Sequence, residues 1–181
     1  LVVTGRGKVH ESLFVTTAEP YHVQVAMLLL NAKRGGKLIP DEGNRPVPGQ
    51  PVDIELHWKE NGKAKKARIE QFVQTVRPKL QPATKGPFIF NGSRVFEGQF
   101  LAQRDGSIIS LITDNAAQFN NPRPGREDDE LWRPQPKGLP AVDSKATVVI
   151  RLLPKTAPNK HEPPTAKFEE VEKRNTKGAR V

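Results

Sequence analysis

Val52-Asp53-Ile54-Glu55-Leu56-His57-Trp58 alternates apolar and polar residues without a break. The pattern predicts a half-buried strand with Val52, Ile54, Leu56 and Trp58 on one face and Asp53, Glu55 and His57 on the other. Asn61-Gly62 follows, and both residue types tolerate positive φ, so a tight hairpin is expected. The return strand would cover about 65–75, with Lys63, Lys65 and Lys66 keeping an exposed tip soluble. Shorter apolar runs predict strands at 1–4, 13–16, 88–90, 94–103 with a bulge at Gly98, 107–113 and 145–153. Asp105-Gly106 reads as a second hairpin turn, and Asn91-Gly92-Ser93 as a turn.

One stretch has helical spacing. Val23, Ala26, Met27 and Leu30 recur on one side of a helix over 20–32, and Val25, Leu28 and Leu29 widen that stripe. So broad a stripe predicts burial over much of the helix circumference. Thr17 is placed to cap it, Glu19 and Pro20 suit its start, and Gly35-Gly36 its end. Asp114-Asn115-Ala116-Ala117 could cap a single helical turn.

Between these elements prolines cluster at 40–51, 78–87 and 122–140. Beyond Pro154 apolar residues are few and prolines recur, so 155–181 reads as a basic Pro/Lys-rich tail, mobile or partner-bound, with a short helix at 167–174. The expected architecture is a β-rich α+β fold. Antiparallel, hairpin-built sheets would pack on one main helix and carry long Pro-rich loops, all within one domain over 1–154.

Composition narrows the chemistry. The 181 residues hold 29 Lys+Arg against 20 Asp+Glu, a net charge of +9, and no cysteine. Disulfides, thiolate nucleophiles and cysteine-bound clusters are thereby excluded. The longest apolar run, from Val25 to Leu30, is far below the roughly 20 residues a membrane helix needs. Aromatic residues make up 6% and fall mostly at apolar positions, which argues against a base-stacking surface for nucleic acid. The start at Leu1 fits a processed product, a trimmed chain or part of something longer.

Several polar clusters invite a chemical reading. His10 and Glu11 lie close in sequence to His22, near the expected helix start, where the helix dipole favours a neutral, metal-ligating imidazole. His10, Glu11 and His22, joined by Asp114, form a candidate metal set, although their spacing matches no strong metal motif. If extended, the segment around His10 would put Ser12 on the same face, but without the local context a nucleophile needs. Glu127-Asp128-Asp129-Glu130 lacks the alternation of a calcium loop. It reads instead as a short helix start, pinned to the core by Trp132. His57 suits pairing on a solvated sheet face, and His161 in the tail takes no role. Lys8, Asp128, Asp129 and Trp132 are candidate binding residues. No phosphate loop, dinucleotide fingerprint or nucleophile elbow occurs.

The chain resembles the YdjY-like domain family, mostly bacterial exported proteins without an established activity. The resemblance lies in Gly7-Lys8-Val9-His10-Glu11-Ser12, in Pro20-Tyr21-His22 and in Ala26-Met27-Leu28-Leu29-Leu30. It continues through Asn91-Gly92-Ser93, Asp105-Gly106-Ser107, Ile112-Thr113-Asp114, Asp128-Asp129, Trp132 and the closing strand before Pro154. It implies export to the periplasm or cell surface, with a signal removed before Leu1. Some relatives accompany ferredoxin-type iron–sulfur proteins, beside which a cysteine-free chain could only be an accessory. The family supplies no catalytic residues.

The expectation is therefore an exported, non-catalytic binding or accessory domain that docks to another protein or a cell-envelope component. No cofactor is required, a metal ion being the one open possibility. Polyanion binding through the basic surface and tail is a third reading.

Overall fold

The structure, a computed structural model, describes residues 1–38, 45–135 and 137–154. The 155–181 tail with its expected helix and His161, the loop prolines Pro40 and Pro136, and residues 41–44 lie outside the described residues.

The longest alternating segment forms the longest strand. Strands β1 (Val2–Thr4), β2 (Phe14–Thr16), β3 (Gln50–Glu60), β4 (Lys63–Arg68), β5 (Val73–Thr75), β6 (Gln81–Pro82) and β7 (Phe88–Phe90) are followed by β8 (Val95–Phe96), β9 (Gln99–Phe100), β10 (Ser107–Ser110), β11 (Phe119–Asn120), β12 (Trp132–Pro134) and β13 (Ala146–Leu152). Two α-helices among the described residues, α1 (Pro20–Leu29) and α2 (Leu101–Asp105), complete the regular structure with 3-10 turns at Val9–Glu11 and Ile69–Phe72. The fold is thus α+β and β-rich.

The main sheet runs β13-β3-β7-β11-β10-β1-β2, with β4 also on β3, and counts eight strands among the described residues. A three-stranded sheet, β12-β5-β6, and the β8-β9 ribbon accompany it. On β3 the side chains of Val52, Ile54 and Leu56 are buried, as the alternation predicts. Val52 and Ile54 join Phe88, Phe90 and Phe119, all essentially inaccessible, with the rings of Phe90 and Phe119 5.3 Å apart. Each such aromatic contributes roughly 1.5–3 kcal/mol by leaving water. Asn61 and Gly62, at φ 49° and 75°, make the expected hairpin turn between β3 and β4.

Four expectations need correction. First, the sheet is mixed: β1 pairs with β2, and β10 with β11, in parallel. Gly106, at φ +66°, ends α2 rather than turning a hairpin, so β10 pairs with β1 instead of with 94–103. Second, 94–103 is not one strand. Glu97-Gly98, at φ 49° and 75°, makes the same turn as Asn61-Gly62, between β8 and β9, and α2 follows directly. Third, the return strand stops at Arg68. Ile69 and Phe72 then turn inward, and β5 joins the second sheet.

The fourth correction concerns α1. Its N-cap is Glu19, not Thr17, and no side chain caps it. Its C-terminus closes at Asn31, φ +60°, with Asn31 N–H donating to Leu28 O (2.9 Å) and Ala32 N–H to Met27 O (3.0 Å), ahead of the glycines. Only Pro20, Gln24 and Met27 are buried, whereas Val25, Leu28 and Leu29 are exposed. The inward position goes to polar Gln24 because Gln118, itself fully buried, donates to Gln24 Oε1 at 3.2 Å. Of the proline-rich segments, Pro51, Pro82 and Pro134 sit within strands, while Pro122 and Pro124 lie between β11 and β12.

The outer face of β3 is laced with charge. Arg68 donates to Asp53 and to Glu70, each at 2.5 Å, and Arg151 of β13 donates to Glu55 at 2.7 Å. His57 meets Glu55 on its own strand at 2.8 Å rather than pairing across strands. Hydrogen bonds from Arg151, then His57, hold the Glu55 carboxyl down from its ordinary 4.5 to about 2. Because the folded-state value is the lower one, this stabilisation is complete above pH 4.5 and is lost as pH falls towards 2. Urea unfolding of Glu55→Gln is expected to show a lower midpoint at pH 7. Its stability curve should also be flatter than wild type across that window. Parallel curves for the two proteins would contradict the assignment.

Candidate functional site

Parallel neighbours normally need a crossover of about a dozen residues or more, usually containing a helix that covers the sheet. Here β1 reaches β2 through residues 5–13, and β10 reaches β11 through residues 111–118. Neither connection has length for a covering helix. Between them a cleft of about 1010 Å³ opens over β1 and β10, closed on a further side by β12.

Each crossover is held by close packing or by buried hydrogen bonds. In the first, Gly7 lies where a Cβ would come within 2.7 Å of Val3 Cβ and 3.0 Å of Gly106 O. Gly106 is as tightly placed: a Cβ there would sit 2.4 Å from Thr4 Oγ1 and 2.6 Å from Gly7 N. The glycines of two sequence motifs therefore meet in space, and side chains at either would lift the crossover off the sheet. Above them the chain makes the 3-10 turn Val9–Glu11 instead of an extended segment, so His10 and Ser12 are not strand neighbours on one face.

The second crossover hangs on a network of uncharged polar side chains. Asn91, Ser93, Gln118, Asn120 and Asn121 are each no more than 1% exposed. Asn91 and Gly92 N–H both donate to Gln118 O at 3.1 Å, and Ser93 Oγ–H donates to Ala116 O at 2.7 Å. Asn120 Nδ2 donates to Asn91 Oδ1 (2.7 Å) and to Asp114 O (3.1 Å), and its Oδ1 accepts Asp114 N–H (2.9 Å). Asn121 Nδ2 donates to Leu111 O at 3.0 Å. Asp114 then uses both carboxylate oxygens, one for Ala116 N–H (2.8 Å) and one for Ser107 Oγ–H (2.6 Å). The expected helical turn at 114–117 is thus a side-chain-capped turn, set by this network. Arg123, buried and over the Phe88 ring at 5.3 Å, adds bonds to Asn121 Oδ1 and to the carbonyls of Thr84 and Gly86. Burial draws its pKa below that of an ordinary arginine.

Most of the residues singled out from sequence converge here. Lys8, His10, Glu11, Asp114, Asp129 and Trp132 all line the cleft. Lys8 and His10 each approach Glu11 at 3.4 Å on the exposed rim. Arg133 donates to the Asp129 carbonyl and, at 3.2 Å, to that of Trp132. Trp132 is buried in the core cluster, and its Nε1, near Gly125, finds no partner among the described residues.

The other two residues lie elsewhere. His22 is exposed on α1 and outside the cleft lining, and Asp128 is tied to Arg77 at 2.6 Å. Residues 127–130 form turns, not a helix start, because Asp128 Oδ1 folds back to accept Glu130 N–H at 2.9 Å. Among the described residues no group of three or more His, Asp or Glu is arranged to hold a metal.

Leu1, Val3, Leu13, Ile109 and Leu111 give the cleft an apolar lining, and Lys8, Glu11, Asp105, Asp129 and Arg133 add charge of both signs. Sequence reasoning missed Ser107, Arg133 and the amide network. The run Gln118-Phe119-Asn120-Asn121, polar but uncharged beside Ala116-Ala117, was the available signal.

A family model described as the YdjY domain matches residues 1–151. No curated protein and no solved structure matches the chain.

Asn120→Ala should destabilise the protein by about 3 kcal/mol in urea unfolding, since it strands several buried polar groups. His10→Ala, on the exposed rim, should change stability by no more than about 0.5 kcal/mol. Similar losses for both variants would contradict the network's role.

Proposed function

The chain belongs to the YdjY domain family, and from that premise we propose a non-catalytic binding domain whose cleft receives an extended segment of another protein. The observation that carries this reading is the cleft itself. An apolar lining under a rim of both charge signs suits a peptide, which brings backbone polarity together with apolar and charged side chains. The best-positioned carboxylate, Asp114, spends one oxygen on Ala116 of the crossover and the other on Ser107 of β10, and so acts in holding the wall. The partner is an exported protein or a cell-envelope component, encountered in the periplasm or at the cell surface. That location is the expectation attached to the family's exported members. No helix among the described residues is long and apolar enough to cross a membrane.

Binding would proceed by seating apolar side chains over Leu13 and Ile112, apolar lining residues that keep accessible surface. The charges of Lys8, Arg133 and Asp129 would select the register. The metal reading, with His10, Glu11, His22 and Asp114, and the polyanion reading are the competing outcomes.

Panning a random peptide library over the immobilised full chain is expected to select peptides that combine apolar and charged residues. Lys8→Glu and Ile112→Glu, both at exposed cleft positions, should weaken the selected peptides at least about fivefold, while heat stability stays at the wild-type value. Turnover of an ester, amide or glycoside panel that His10→Ala abolishes would overturn the proposal. Stoichiometric metal in protein purified without a polyhistidine tag would replace it with the metal reading. Salt-sensitive heparin binding, unchanged in both cleft variants and without peptide selection, would replace it with the polyanion reading.

A further inference from the structure

Helix α1, Pro-Tyr-His-Val-Gln-Val-Ala-Met-Leu-Leu, contains no charged residue. A surface helix ordinarily turns polar residues outward and apolar ones inward. Here apolar residues stand on both sides: Pro20 and Met27 are buried, and the outer face is apolar too. Gln24 faces the interior, while Tyr21, Val25, Leu28 and Leu29 face out, followed by Leu30, with Leu29 79% exposed. The β8-β9 ribbon is tied to this helix by the Tyr21–Phe100 ring contact at 5.0 Å, and it adds exposed Val95 and Phe96, with Arg94 above the Phe96 ring at 5.4 Å.

The charge that follows the C-terminal end of this helix has one sign. From Pro20 to Leu38 the chain carries Lys33, Arg34 and Lys37 and no Asp or Glu. The acids lie at the far end of the helix and on the ribbon: Glu19, which accepts from the Gln103 amide, and Glu97 in the β8-β9 turn, in the field of Arg104. An uncharged apolar helix face bordered by cations matches the interface of an anionic bilayer, where apolar side chains enter the acyl boundary and lysines meet headgroups. At ten residues α1 can lie in that interface but cannot span it.

We infer that α1, with its Lys33–Lys37 border, is an interfacial attachment surface for anionic lipid. The cleft uses none of these residues, so the two surfaces stand or fall separately. Attachment would hold the domain against the membrane face and leave the cleft to its protein segment.

The test is flotation of the full chain with vesicles of equal parts phosphatidylcholine and phosphatidylglycerol, beside vesicles of phosphatidylcholine alone. Binding is expected on the anionic vesicles and should weaken as salt is raised. Leu29→Glu should reduce it about tenfold or more, and Lys33→Glu with Lys37→Glu by a similar factor. Leu29 projects into solvent, so Leu29→Glu should keep the wild-type circular dichroism and melting temperature. Absent binding to anionic vesicles would overturn the inference. So would equal binding by folded Leu29→Glu, which would place the contact elsewhere on the basic surface. Self-association that Leu29→Glu abolishes, without vesicle binding, would assign the face to a second copy of the chain instead.

Discussion

An amide side chain removed from water must find protein partners or lose several kcal/mol, and the cleft architecture of this domain rests on meeting that requirement. Asn91, Gln118, Asn120 and Asn121 are essentially inaccessible, and each is bonded to a neighbouring side chain or to main chain. Most of those bonds end on the 111–118 crossover. A segment too short for a helix and too irregular for a ladder therefore has its carbonyls and N–H groups satisfied from below. The Asn91-Gly92-Ser93 turn does the same work from the β7 side, receiving Ala116, Ala117 and Gln118 at fixed distances. The wall of the cleft is the outer surface of this network.

The cleft's existence follows from connection length. A longer crossover would carry a helix across β1 and β10 and fill the space. Gly7 and Gly106 permit the short route because neither has a Cβ to collide with Val3, Thr4 or the facing backbone. The apolar lining is thus sheet that a typical parallel unit would cover, and the charged rim is made of the crossovers themselves. The strand side chains Val3 and Ile109 stay buried, and Leu13 and Ile112 of the crossovers are the apolar groups that remain accessible.

Much of this was legible in the sequence. The alternation in β3, the Asn61-Gly62 turn and the start of α1 at Pro20 stand where their patterns place them. So does the family, whose match covers residues 1–151. Six of the eight singled-out polar residues share one cleft, because the motif segments that carry them are brought together by β1, β10 and β12. What escaped has definite causes. Strand direction is a property of pairing, which alternation within a strand does not encode. The Glu97-Gly98 turn uses a residue that rarely adopts positive φ, so it carried no turn signal. The apolar stripe of α1 has the right period, but period alone does not say which side meets the core. That choice belonged to Gln118, ninety-odd residues away, which required Gln24 on the inside. A polar run such as Gln118 to Asn121 looks like loop until burial shows that it is a brace.

Native-state hydrogen exchange tests the brace most directly. The backbone amides of Asn91, Gly92, Asp114 and Ala116 donate into this network, and those of Gln118 and Asn121 donate beside it to the β10 carbonyls of Ile108 and Ser110. They are expected to exchange only through global unfolding, with the same free energy as the β3 and β7 amides. Exchange of the crossover amides through low-energy local opening, as fast as that of the exposed 5–12 segment, would contradict a cleft wall fixed by buried hydrogen bonds.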